Sequence, residues 1–352
     1  MKTIKLSEKK LIYNNMNLLY KISGSLSLSI IVLISISNIQ DCFSSSEQNN
    51  NLTIIFLYPE SQGQANLLIL PNGKSMMIDM GPRSLSETII KTMNNYKLTK
   101  LDAIFASHMH PDHTTGINEV IKENIKIGKV YDSGVPYEKK EYDDDDKIDR
   151  IAEFLELVEQ KKIPFIKVKD GDEIYVDPEV KIEILNPPDT PLGLGDSVSN
   201  NSIVVKLTYK DFSILFPGDI YSIVEEQLFG KNLDSDVLLL PHHGHELASS
   251  KGFLKAVNPD VSVVSTRKDN PFGFPHEETV ERLNDLNIPL LELNRYGTLT
   301  LTTDGNSFDI YANYPSDNDS ASKSTNVKLS NKTVKVFGNN TSEDIRSKFK
   351  LD

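Results

Sequence analysis

The sequence predicts an α+β fold. Short apolar runs of strand length recur along the chain, several are joined by tight turns, and helical patterns lie between them without strict βαβ alternation. With 352 residues, 38% apolar and 25% charged, the chain can bury a full core. The net charge of −12 and pI near 5.2 exclude affinity for nucleic acid through a broad basic surface. They leave room for a nuclease whose positive charge comes from bound metal ions. Cys42 is the only cysteine, which excludes an intramolecular disulfide and a multi-thiolate metal site.

The first elements concern location. Residues 1–21 form a basic segment with Lys2, Lys5, Lys9 and Lys10 against Glu8. Residues 22–39 carry no charge and have about the length that crosses a bilayer, although six serines dilute their hydrophobicity. A signal anchor with the lysines inside is expected, with the remainder outside the membrane, or secreted if the leader is cleaved. A Ser- and Asn-rich linker, 40–50, leads to the folded region, 51–313.

Leu52 to Tyr58, Ala65 to Leu70 and Ser75 to Asp79 read as strands, with Pro71-Asn72-Gly73-Lys74 as the turn between the last two. Asp79 fits equally a turn residue or a carboxylate that orients a neighbouring imidazole. Leu85 to Tyr96 is helical by pattern. It leads into Leu101 to Gly116, LDAIFASHMHPDHTTG. There an apolar strand ends in His108, His110, Asp112 and His113, four potential metal ligands within six residues. Period two puts His108 and His110 on one side, and Pro111 turns the chain.

Seven histidines occur in the whole chain, in three clusters: His108/His110/His113, His242/His243/His245 and His276. Ligands supplied by several loops to one pocket distribute in this way. Beyond the first cluster come a helix from Gly116 to Asn124, a short strand at Val130-Tyr131, and an acidic run from Glu138 to Arg150 that reads as a solvated loop. Helix Ile148 to Glu159 and strands Pro164 to Val168, Ile174 to Val176 and Val180 to Leu185 follow.

Asn200-Asn201-Ser202 precedes the strand Ile203 to Tyr209, and its hairpin partner, Phe212 to Phe216, ends in Pro217-Gly218-Asp219. The apolar strand Val237 to Leu240 ends in Pro241, His242 and His243, with Gly244 allowing close backbone approach. Strand Val261 to Ser265, the loop Asn270 to His276, helix Glu277 to Asn287 and strands Leu290 to Leu293 and Thr298 to Thr302 complete the domain. The polar tail, 314–352, is expected to be disordered at first, with a weak hairpin pattern over Val327 to Phe337.

The His-x-His-x-Asp-His pattern of His108 to His113 resembles the signature of the metallo-β-lactamase superfamily of hydrolases. The set Gln62 to Ala65, Ile78 to Gly81, Asn200 to Ser202, Phe216 to Asp219 and Leu240 to Gly244 is similar to its ComEC branch. The resemblance implies a four-layer αββα sandwich with two divalent ions, usually zinc, with manganese or iron possible. His108 and His110 would hold the first ion and Asp112 and His113 the second. Asp219 would bridge them, and one of His242 and His243 would complete the second site. The implied chemistry is hydrolysis by a metal-bound hydroxide, with Asp112, His243 and His276 as catalytic candidates. The implied substrate is a small-molecule or nucleic-acid phosphodiester, the membrane is contacted through the anchor, and no protein partner is implied.

Two departures stand out. No histidine lies between His113 and His242, where many superfamily members place one, so β-lactamase activity is the least favoured. Phe274 also stands where the branch usually has histidine. The alternatives are a surface-binding protein of the same fold with incomplete ligation, or a hydrolase of lactones or other small esters.

Overall fold

Apolar runs that read only as separate strands sort into two facing sheets. The structure, a computed structural model, describes residues 50–123, 125–137, 145–193, 195–313, 324–330 and 333–337. The basic segment, the expected anchor at 22–39 and the linker up to residue 49 lie outside the described residues. Among the described residues, no helix is long and apolar enough to cross a membrane.

The strands in chain order are β1 (Leu52–Phe56), β2 (Ala65–Ile69), β3 (Ser75–Met80), β4 (Lys100–Leu101), β5 (Ala103–Phe105), β6 (Lys126–Ile127) and β7 (Val130–Asp132). Next come β8 (Phe165–Lys167), β9 (Glu173–Asp177), β10 (Val180–Asn186), β11 (Val204–Tyr209), β12 (Phe212–Phe216), β13 (Val237–Leu239) and β14 (Val261–Val264). The last are β15 (Leu290–Glu292), β16 (Thr298–Thr303), β17 (Phe308–Asn313), β18 (Ser324–Ser330) and β19 (Thr333–Phe337). One sheet has the order β19-β18-β17-β16-β1-β2-β3-β5-β7-β8 and the other β15-β14-β13-β12-β11-β10-β9, while β4 and β6 pair separately.

Three apolar clusters define four layers. The largest joins inward residues of both sheets, among them Phe56, Phe105, Val180, Ile182, Ile184 and Phe216. Strand β10 shows why: Val180, Ile182 and Ile184 are buried while Lys181 and Glu183 alternate with them on the wetter face. A second cluster covers the outer face of the first sheet with Ile89 and Met93 of helix Ser86–Asn95, Val120 of helix Ile117–Lys122 and Phe154 of helix Asp145–Gln160. A third covers the second sheet with Val224, Phe253, Leu254 and Leu283 from helices Ser222–Gln227, Lys251–Val257 and Glu277–Asp285. Helices outside, two sheets inside, is the αββα sandwich.

Strand direction positions the site. β3, β5 and β7 run parallel, as do β12, β13, β14 and β15. Parallel neighbours present their carboxyl ends at one edge, so the loops after them converge. The histidine loop leaves β5, Asp219 follows β12, His242-His243 follows β13 and Ser265 follows β14.

Two expectations change. The acidic run is not wholly a loop, because helix Asp145–Gln160 begins within it, and acidic residues in a first helical turn complement the helix dipole; residues 138–144 lie outside the described residues. In the tail, the hairpin read over Val327 to Phe337 begins earlier, at Ser324, and joins the first sheet. β17 pairs with β18 and β18 with β19, extending the first sheet.

Candidate metal centre

Strand β5 ends at Phe105, and Ser107, His108 and Met109 form a bend. His110 stays extended at φ −72°, ψ 144°, and Pro111 opens the one-turn helix Pro111–Thr114 that carries Asp112 and His113. Proline fits there because its fixed φ suits a first helical position and it lacks only an N–H that would go unused. On the second sheet, Pro241 is followed by His242 and His243 at φ 49° and 54°. Two consecutive left-handed residues without glycine cost on the order of 1–2 kcal/mol each, and such strain collects at functional sites. Gly244 then passes so close to Pro275 that an added Cβ would lie 2.6 Å from its ring.

These loops bring two groups of potential ligands together. His108, His110 and Asp219 form one, and Asp112, His113 and His243 the other; within each, the ligand atoms all lie within 4.8 Å of one another. Asp219 stands between them, with Oδ2 3.8 Å from His108 Nε2 and 3.8 Å from His243 Nε2. Its Oδ1 is 3.3 Å from His113 Nε2. Ligands thus come from both sheets. Asp112, with 32% of its side chain exposed, faces His243 at 3.5 Å.

Surrounding groups set the histidine tautomers. His113 Nδ1 is 2.8 Å from Asp79 Oδ2, and His243 Nδ1 is 2.9 Å from the Ser265 carbonyl. Both acceptors call for an N–H on Nδ1, so in the neutral rings the lone pairs sit on Nε2. Yet these Nε2 atoms lie 3.3 Å apart, and Asp219 Oδ1, buried and without a hydrogen-bond partner, points at the same place. Two imidazole nitrogens and a carboxylate oxygen gathered in one buried place suit a cation. Borderline imidazole nitrogen and carboxylate oxygen suit zinc, manganese or iron, so the residues present fit a pair of divalent ions.

Proton affinities follow the same charges. Burial lowers the pKa of His108, assisted by His113 and His110, and burial likewise lowers that of His110. For His113, burial opposes protonation but Asp219, Asp79 and Asp112 overcome it and raise its pKa. His243 is raised too, against burial, by Asp219 and Asp112. Burial works against the charge of Asp219, but His113, His242 and His243 outweigh it and hold the carboxyl well below the usual range.

Of the paired histidines, His243 joins a ligand group and His242 stands outside both. His242 Nδ1 is 2.9 Å from the Asp219 carbonyl and its Nε2 faces the Tyr221 hydroxyl at 3.5 Å. His276 is placed otherwise than expected of a catalytic residue. Its Nδ1 accepts from Glu246 N–H and its Nε2 donates to the Phe272 carbonyl, so both ring nitrogens are used to tie two loops together. Asn200-Asn201-Ser202 supports the Asp219 turn: Ser202 Oγ accepts from Asp219 N–H and Asn200 Oδ1 from Tyr221 N–H.

Another buried carboxyl lies beyond Met109. Asp132 borders a cavity of about 540 Å³ lined also by Met109, Tyr137, Leu155 and Phe165. Burial pushes its pKa up to about 6, against the N–H groups of Gly134 and Ser133. A folded value above the unfolded one means that stability is fully present below about pH 4 and is lost as pH rises through about 6. A shift of about two units corresponds to ~3 kcal/mol at pH 8. Asp132→Asn is therefore expected to raise the melting temperature at pH 8 and to leave it nearly unchanged at pH 4. Equal effects at both values would remove the explanation.

Comparison with known proteins finds partial similarities. The family described as anti-Pycsar protein Apyc1 matches residues 58–129. The chain is 24% identical over 280 residues to ComE operon protein 3 of Bacillus subtilis (strain 168), covering 70% of this chain and 34% of that protein. It is 28% identical over 257 residues to Competence protein ComA of Neisseria gonorrhoeae, covering 71% and 32%. It therefore spans about a third of the length of these curated relatives. The solved metallo-beta-lactamase fold protein YhfI from Bacillus subtilis aligns at 12% identity over 69% of this chain and 96% of that one, with a TM-score of 0.45. The chain thus has two sheets between helices with a His-x-His-x-Asp-His loop at their common edge, and over about 70% of its length it is similar to part of these competence proteins.

Proposed function

We propose that the protein is a metal-dependent hydrolase of phosphodiesters. The observation that carries this reading is the meeting of His113 Nε2, His243 Nε2 and Asp219 Oδ1, three electron-pair donors aimed at one another. In this reading His108, His110 and Asp219 hold one divalent ion and Asp112, His113 and His243 the other, with Asp219 shared. When bound, such ions act as Lewis acids and bring the pKa of water to about 7.

The chain's own residues do the rest. Asp79 and the Ser265 carbonyl hold His113 and His243 in the tautomer that offers Nε2. Ser107 Oγ, 3.0 Å from His108 Nδ1, orients that ring. Asp112, the most exposed carboxylate of the set, is placed to orient the attacking water and accept its proton. The Tyr221 hydroxyl, 3.5 Å from His242 Nε2, holds that ring beside the centre.

The names of the relatives, competence proteins, make a nucleic-acid phosphodiester the first substrate to test. With residues 22–39 read as an anchor, the domain would work outside the cytoplasmic membrane. Metal analysis of the purified chain is expected to give two equivalents of divalent ion. Chelation is expected to abolish hydrolysis of bis(p-nitrophenyl) phosphate, and added zinc or manganese to restore it. A chain that binds no metal and hydrolyses no phosphodiester would sink the reading in favour of a surface-binding protein.

A further inference from the structure

The loop that departs from the family pattern builds an aromatic ledge beside the centre. Phe272 is 57% exposed, large for a phenylalanine on an otherwise ordered loop. Its ring is nearly parallel to that of Phe274, at 17° with centroids 5.5 Å apart. Phe274 in turn lies 23° from the plane of His243, centroids 6.1 Å apart. Phe274 thus lies nearly parallel to the ring of the ligand His243 on one hand and to that of the exposed Phe272 on the other.

The ledge is held in place rather than left to move. The Asn270 side chain accepts from Phe274 N–H and donates to its carbonyl, at 2.8 and 2.7 Å. His276 donates to the Phe272 carbonyl, and its backbone N–H donates to the Gly244 carbonyl. A histidine that could have offered a free nitrogen is spent on fixing this loop to the one that carries His243. Offset parallel rings are a favourable arrangement of aromatic planes, so a rigid pair with Phe272 exposed takes another planar ring.

We infer that Phe272 and Phe274 form a stacking subsite for a nucleobase of a short oligonucleotide whose phosphodiester is held at the centre. This rests on the phosphodiesterase reading above and narrows it to substrates that carry a planar base. With a net charge of −12, the chain cannot draw affinity from a broad basic surface. Stacking is the base-tolerant alternative, worth roughly five- to 150-fold per base. The same charge balance points to short substrates in place of long strands, whose affinity comes largely from phosphate neutralisation.

The test is binding of a fluorescein-labelled, phosphorothioate-linked thymidine trinucleotide to the full-length, zinc-loaded chain, beside an abasic trinucleotide with the same linkages. The base-bearing ligand is expected to bind about tenfold tighter. Phe272→Ala should erase that preference while leaving abasic binding unchanged, and Phe272→Trp should keep it. Equal affinity of the two ligands for the unaltered chain would overturn the inference. So would equal weakening of both by Phe272→Ala, or a change of oligomeric state in that variant with the preference intact. Hydrolysis of bis(p-nitrophenyl) phosphate separates the two readings. Activity without base preference removes only the ledge, and base preference without activity removes only the hydrolase.

Discussion

Asp219→Asn is expected to lower phosphodiester hydrolysis by about a thousandfold and to cut bound metal from two equivalents to one or fewer. Among the described residues, Asp219 is the side chain whose oxygens face both ligand groups, Oδ2 towards His108 and His243 and Oδ1 towards His113. An amide keeps the shape but removes the negative charge and turns one oxygen into a donor aimed at imidazole lone pairs. Metal ions contribute several kcal/mol of charge stabilisation, and each 1.36 kcal/mol is tenfold in rate. Turnover and metal content measured on the same preparation check the result. Full activity with two ions retained would show that Asp219 does not bridge.

Asp79→Ala should act through the fold and the centre together. Asp79 is wholly buried. It accepts from Ser107 N–H and Ser107 Oγ, from Gln64 Nε2 and from His113 Nδ1 at 2.8, 3.0, 2.9 and 2.8 Å. It does so from φ 59°, a left-handed conformation that aspartate tolerates better than most residues. Truncation leaves four buried donors without their acceptor, at a cost of ~3–5 kcal/mol. Losing the carboxylate that orients a ligating imidazole costs about 10- to 100-fold in metal affinity. Thermal unfolding and a metal titration read the two effects separately. A variant as stable as the original and loading metal normally would remove both roles.

What the sequence disclosed follows from how far apart the partners lie. His108, His110, Asp112 and His113 declare themselves because one loop carries all four. Asp219 and His243 are recognisable only in company, since a Gly-Asp turn or a paired histidine has many ordinary uses. Asp79 stayed undecided between turn and orienting carboxylate because its partners Gln64, Ser107 and His113 are 15 to 34 residues away. The Ser265 carbonyl that fixes His243 leaves no trace in side-chain identity. His276 misled for the opposite reason. Its rarity suggested chemistry, and its ring is engaged instead by backbone groups of Glu246 and Phe272. The partial helicity of the acidic run was obscured by polar composition, whereas the weak alternation over Val327 to Phe337 did mark the β18–β19 hairpin but not its pairing with β17.

Four of the six donors ride on the first sheet and two, one in each group, on the second, so ion occupancy would rivet the open rim of the sandwich. Neither sheet alone can assemble a full donor set, and unfolding of either one scatters it. Tight binding at a thousandfold saturation would then add about 4 kcal/mol to the stability of the whole domain. Chelation should first loosen the rim loops 107–116 and 217–221, seen as faster amide hydrogen exchange there, while the apolar seam around Phe56, Phe105 and Phe216 stays closed.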